Sequence, residues 1–119
     1  MILHTMLRVG DMARSVDFYT RILGMNLLRT TNREEQKYSL AFVGFGRGNE
    51  DGQAEIELTY NWDQEKPYSE GRNFGHLAFS VENIYDYCQT LMEKGVTILR
   101  PPRDGYMAFI RTPDQISIE

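Results

Sequence analysis

At 119 residues the chain is sized for one domain, long enough to bury a sizeable core without disulfides or a structural metal. Its single cysteine, Cys88, excludes an internal disulfide and points to a reducing compartment. The formal charge of -4 is spread over interspersed acids and bases, with no long basic run and no apolar stretch of membrane-spanning length. Nucleic acid and membrane are therefore excluded as main partners. Met1-Ile2-Leu3-His4-Thr5-Met6 lacks the charged and long apolar parts of a signal peptide, so a cytoplasmic globular domain is expected.

Residues 2–9 alternate and predict a strand, with Ile2, His4, Met6 and Arg8 on one face and Leu3, Thr5, Leu7 and Val9 on the other. Asp11 is a good N-cap for a helix over 12–23, in which Met12, Val16, Tyr19 and Leu23 form one apolar stripe; Gly24 stops it. A strand over 25–30, a polar turn or loop over 31–36 and a strand over 37–45 follow. Gly46, Asn49, Asp51 and Gly52 then close a hairpin into the strand 54–62. In that strand Glu55, Glu57, Thr59 and Asn61 share one face while Ile56, Leu58, Tyr60 and Trp62 share the other.

Residues 63–73 are mostly polar and aperiodic and read as a surface linker. Beyond it the pattern restarts, with a strand over 75–81 and Asn83 as N-cap. Ile84, Tyr87, Cys88, Leu91 and Met92 then lie at helical spacing, and Gly95 ends the helix. Short strands are predicted over 96–99, 106–111 and 116–119, with a loop over 101–105 and a turn at 112–115. Each half therefore reads β-α-β-β-β: an α+β fold of two modules, about 1–62 and 74–119, joined by the linker about 63–73.

The repeat carries chemistry with it. His4 and His76 both sit on the opening strand of their half, 72 positions apart, and the same offset relates Val9 to Val81 and Asp11 to Asn83. Glu57 and Glu119 each lie on the final strand. If first and last strands are neighbours, each half presents a His/Glu pair on one sheet face. Alone, either histidine reads as a surface or satisfied core residue and either glutamate as solvated. The recurrence of both points to a divalent metal, for which imidazole and carboxylate are suitable donors.

The runs His4-Thr5-Met6-Leu7-Arg8-Val9-Gly10-Asp11, Ser15-Val16-Asp17-Phe18-Tyr19-Thr20 and Leu23-Gly24-Met25 resemble the start of the glyoxalase I (lactoylglutathione lyase) family. Lys37 to Phe42, Glu57 to Trp62, Phe74-Gly75-His76, and Pro113-Asp114 through Ile118-Glu119 extend the resemblance over nearly the whole chain. It implies the vicinal-oxygen-chelate fold of paired βαβββ modules, assembled as a homodimer with active sites at the interface. It also implies metal ligands at His4, Glu57, His76 and Glu119, one His/Glu pair from each subunit, with Glu55 in reserve should the register slip. Contacts to the glutathione peptide fall on Arg8, Asn61 and Arg72; a guanidinium matches a carboxylate bidentately.

The implied reaction is isomerisation of the methylglyoxal–glutathione hemithioacetal to S-lactoylglutathione through an enediolate. Glu119 is the main base, and Glu57 is a ligand and the partner for the other substrate hand. Ni(II) is favoured as the metal, with Zn(II) or Co(II) as alternatives, because shorter members of the family tend to be nickel- or cobalt-activated and position 4 is a histidine. Other members of the superfamily (a thiol transferase, a dioxygenase or a small-molecule binding protein) are the alternative reading. Those enzymes keep His/His/Glu without the fourth ligand, and a binding protein would not need the set.

The chain departs from the family pattern in three places. Residues 100–107 form a shorter loop than in many members, leaving Arg100 or Arg103 to replace a loop lysine and the identity of the thiol open. Gln115 stands where glycine usually follows Pro-Asp, so a different turn is expected. The sequence stops on Glu119 itself, and a ligand there is expected to fray unless further residues or a partner order it.

Overall fold

The alternation of residues 2–9 is realised as strand β1 (His4–Arg8), with Leu7 buried between exposed Met6 and Arg8. A computed structural model of the chain describes residues 1–69, 71, 74–102 and 104–119. These divide into two units, Met1–Tyr68 and Ser69–Glu119.

In the first unit Asp11 caps helix α1 (Met12–Asp17), its carboxylate accepting from the Arg14 backbone N–H at 3.0 Å. The helix continues as a π-helical turn (Phe18–Ile22), where the Leu23 N–H donates to the Phe18 carbonyl at 3.0 Å. Gly24, at φ +81°, then turns the chain into β2 (Asn26–Arg33). Strands β3 (Tyr38–Gly44) and β4 (Glu55–Asn61) follow, joined through a short 3-10 turn (Gly48–Asp51). The sheet order is β1-β4-β3-β2, with β1 parallel to β4 and the other pairs antiparallel. Helix α1 lies against β3 and β4. Phe18, Tyr19, Leu23, Val43, Ile56 and Leu58 are buried, which leaves the opposite sheet face to His4, Glu57 and Asn61 together with Leu40 and Phe42.

β2 runs to Arg33, into the expected turn over 31–36, because Thr30, Thr31 and Asn32 stay in register with Ala41, Leu40 and Ser39. A bulge falls between Leu27 and Arg29, where the pairing steps from Leu27–Val43 to Arg29–Phe42. The extra residue brings Arg29 to the face shared by Phe42 and Glu57.

The second unit repeats the connectivity with shorter elements and one strand fewer: β5 (His76–Leu77), α2 (Ile84–Glu93), β6 (Ile110–Arg111) and β7 (Ser117–Ile118), in sheet order β5-β7-β6. β5 is parallel to β7, as β1 is to β4, and β6 is antiparallel to β7. Asn83 caps α2 through two backbone N–H groups, of Tyr85 and Asp86, each at 3.1 Å. Cys88 and Leu91 are buried, whereas Met92, at the edge of the expected stripe, is exposed. The strand expected over 96–99 does not form; its place is taken by a single antiparallel bridge between Arg100 and Phe109. The chain there has few partners, since the strand expected over 106–111 is reduced to Ile110–Arg111. Among the described residues no helix is long and apolar enough to cross a membrane.

The turn at Gln115 keeps a glycine-type backbone. Gln115 sits at φ +65°, its N–H donates to the Thr112 carbonyl at 2.9 Å, and its carbonyl accepts from Arg111 Nη1 at 2.9 Å. A side chain in this region costs about 1–2 kcal/mol, while glycine loses roughly 0.5–1 kcal/mol of unfolded-chain freedom. Gln115→Gly is therefore expected to stabilise the fold by about 0.5 kcal/mol, seen as a higher denaturant midpoint at unchanged slope. A lower midpoint would show that the glutamine side chain contributes more than its backbone strain costs.

Candidate metal centre

Parallel pairing of first and last strands is what brings each histidine to its glutamate. β1 and β4 align His4 with Glu55 and Met6 with Glu57, so His4 and Glu57 share a face two register positions apart along the strands. His4 Nε2 lies 3.0 Å from Glu57 Oε2. In the second unit His76 aligns with Ser117, and its Nε2 lies 2.7 Å from Glu119 Oε2. Both histidine side chains are 42% exposed, so each pair opens outward from its sheet.

Glu119 is tied to the sheet through its backbone. Its N–H donates to the Leu77 carbonyl at 2.8 Å and its carbonyl accepts from the Phe79 N–H at 2.9 Å, so β5 and the residues just after it hold both of its backbone groups. In the first unit the β1–β4 ladder is closed at its two ends by bonds from the Val9 N–H to the Thr59 carbonyl and from the Glu55 N–H to the Leu3 carbonyl, each 2.9 Å.

Glu55, the reserve ligand, is engaged elsewhere. Only 3% exposed, it accepts from Arg29 Nη2 at 2.8 Å through Oε1 and from the Asn49 backbone N–H at 2.9 Å through Oε2. The hydrogen bond from Arg29 holds its carboxyl below the usual range, against the opposing effect of burial; the Asn49 N–H adds to the lowering. Gly48, at φ +63°, allows this approach, since a Cβ there would collide with the Glu55 carboxylate. Glu55 is thus a brace between β2, β4 and the turn before β4. Glu55→Gln is expected to cost about 2 kcal/mol, in line with hydrogen bonds to a charged group, while the bound-metal stoichiometry of the purified protein stays unchanged. Loss of metal in that variant at unaltered stability would return Glu55 to the ligand set.

Of the substrate-contact candidates, Arg8 ends β1 exposed on the His4 face. Asn61 ends β4 on the Glu57 face, its Oδ1 accepting from the Tyr68 hydroxyl at 3.4 Å. Arg72 and Arg103 lie outside the described residues. Arg100 lines a cleft of about 310 Å³ with Leu99, Pro101, Asp104, Met107 and Phe109.

Three residues that the sequence reading passed over flank the pairs. Phe42 packs edge-on with His4, ring centroids 5.8 Å apart and planes at 84°, and the Arg29 guanidinium carbon lies 3.9 Å from the Phe42 ring centre. Phe109 meets His76 in the same way, at 5.6 Å and 84°, with Arg100 at 5.8 Å from the Phe109 ring centre. A signal for them was present: Leu27-Leu28-Arg29 matches Ile98-Leu99-Arg100, Leu40-Ala41-Phe42 matches Met107-Ala108-Phe109, and Glu55-Ile56-Glu57 matches Ser117-Ile118-Glu119.

Among the described residues no group of three or more His, Cys, Asp or Glu could hold a metal ion. Each unit instead offers a two-donor pair of imidazole nitrogen and carboxylate, solvent-accessible and within 3.0 Å. That donor chemistry, in each pair by itself, fits a borderline divalent ion such as nickel, cobalt or zinc.

A βαβββ unit and a βαββ unit each present a His/Glu pair from two adjacent parallel strands, and the chain belongs to the Glyoxalase/Bleomycin resistance protein/Dioxygenase superfamily, whose model matches residues 1–119. Its relatives are more particular. The chain is 50% identical to a lactoylglutathione lyase of Escherichia coli O157:H7, over 99% of this chain and 89% of that protein. It is 48% identical to a lactoylglutathione lyase of Haemophilus influenzae at the same coverages. Among solved structures it resembles a trypanothione-dependent glyoxalase I of Leishmania major, with a TM-score of 0.89 and 39% identity over 99% of this chain and 83% of that one.

Proposed function

We propose that the chain is a metal-dependent lactoylglutathione lyase that isomerises the methylglyoxal–glutathione hemithioacetal to S-lactoylglutathione. The observation that carries this reading is the His/Glu pair repeated in both units with the same strand pairing and the same flanking phenylalanine. The lactoylglutathione lyases that match over the whole chain support it. In this reading residues 1–62 and 74–119 are two copies of one module joined by 63–73, and the protein is a cytoplasmic homodimer. Each site takes His4 and Glu57 from one subunit and His76 and Glu119 from the other. A divalent ion there, Ni(II) by preference over Co(II) or Zn(II), supplies fixed positive charge where the enediolate oxygens develop negative charge.

The protein residues divide the remaining work. Glu119 removes the proton from the carbon that bears sulfur, and a proton returned to the neighbouring carbon completes the shift to the thioester with no external oxidant or reductant. Glu57 balances the imidazole of its own pair and serves the other substrate hand. Arg8 and Arg72 meet the carboxylates of the thiol peptide, and Asn61 bonds its polar backbone.

The test is thioester formation, followed by ultraviolet absorbance, with metal-free protein reconstituted separately with Ni, Co and Zn. Activity restored by Ni or Co is the expected result with methylglyoxal and glutathione. Turnover with trypanothione alone would keep the lyase and change the thiol. No turnover with any metal or thiol would leave a binding protein on this fold.

A further inference from the structure

The two imidazoles share an environment that their metal-ligand role does not require. In the first unit Arg29, Phe42 and Glu57 stand in one cross-strand row, since Arg29 pairs with Phe42 and Phe42 with Glu57. In the second, Arg100 bridges to Phe109, and the pairing of Ile110 with Ile118 places Phe109 opposite Glu119. The row is the same although the units differ at the brace: Ser117 stands where Glu55 holds Arg29. What survives that difference is the phenylalanine against the imidazole, at nearly the same distance and the same 84° inclination.

A histidine ring turns easily, because its second torsion is broad and two-fold. A metal-binding imidazole is ordinarily fixed by a hydrogen bond from its second nitrogen to a carboxylate or carbonyl. Among the described residues the ion-pair and ring contacts of the His4 and His76 side chains are to the glutamate, through Nε2, and to the phenylalanine ring. No such hydrogen bond from Nδ1 is formed there, so the orienting contact is aromatic. An edge-on pair is directional, unlike aliphatic packing, and therefore restrains the ring plane as well as filling space.

We infer that Phe42 and Phe109 are positioning residues: each sets the plane of the imidazole beside it and keeps Nε2 directed at the glutamate of its pair. The inference rests on the metal reading of those pairs, and the loss of an orienting neighbour at such a site costs about tenfold in affinity.

Both phenylalanines are half-buried, so leucine is a tolerable replacement. Two readouts on the full-length protein separate orientation from folding. The chain has two histidines, so its imidazole proton resonances form two sets. In the metal-free protein Phe109→Leu is expected to shift only the His76 set and Phe42→Leu only the His4 set. Calorimetric titration with Ni(II) is expected to show about tenfold weaker binding in each leucine variant, with recovery in Phe109→Tyr and Phe42→Tyr. Unmoved resonances, or leucine variants that bind as the parent does, would overturn the inference while leaving the metal reading intact. A shift and weakening that tyrosine fails to rescue would reduce the phenylalanines to space-filling and overturn it equally. A parent protein that binds no Ni(II), Co(II) or Zn(II) would remove the metal reading, and the inference with it.

Discussion

Glu119→Gln is expected to lower kcat by about three orders of magnitude, the middle of the range for loss of a positioned general base, with metal content and unfolding midpoint preserved. Glutamine keeps the shape of the side chain and one oxygen donor but cannot carry a proton away at neutral pH. The backbone is not at risk, because the residue is held by its own N–H and carbonyl to Leu77 and Phe79, neither of which involves the side chain. Turnover measured at saturating substrate, with metal quantified in the same sample, isolates the proton step from binding. Near-parental kcat would move the base to Glu57, and Glu57→Gln would then show the collapse instead.

Mixing two inactive variants should restore activity. His4→Ala removes a donor from the first unit and His76→Ala from the second, and each homodimer alone is expected to be inactive. If every site joins the first unit of one subunit to the second unit of the other, a mixed dimer has one site with both lesions and one with none. Random reassortment after co-refolding makes half of the dimers mixed, so about a quarter of parental activity returns, as a two-fold assembly with shared sites requires. A site built from both units of a single chain gives no recovery, since each chain then carries one lesion. The measurement is specific activity of the equimolar mixture against each variant refolded alone.

Much of this was legible in the sequence because it depends on parity and punctuation. The facing of His4 with Arg8 and of Glu57 with Asn61 follows from period two. Asp11, Asn83, Gly24 and Gly95 end or begin their helices through local hydrogen bonding or backbone conformation that one residue determines. The extent of strands was less legible. Thr31 to Arg33 look like a turn by composition but pair with β3, and residues 96–99 look like a strand but meet only a bridge, because ladder length depends on the partner. Glu55, kept only as a reserve ligand, shows where the sequence is ambiguous. Its side chain shares the face of Glu57, and only the tertiary approach of Arg29 and Asn49 distinguishes a brace from a ligand. Phe42 and Phe109 drew no reading of their own from the sequence, although the tripeptides around them repeat between the halves.

The bulge at Leu28 makes the first module sensitive to reading length in a way that substitutions do not reveal. Loss of a single codon just before Arg29 would leave the frame open and the composition almost intact. Yet the strand could then either keep its hairpin and turn Arg29 away from Glu55, or keep Arg29 in place and draw the Gly24 turn out of shape. Natural variation in this segment should therefore consist of exchanges at constant length, with insertions and deletions tolerated in the turn 34–37 instead.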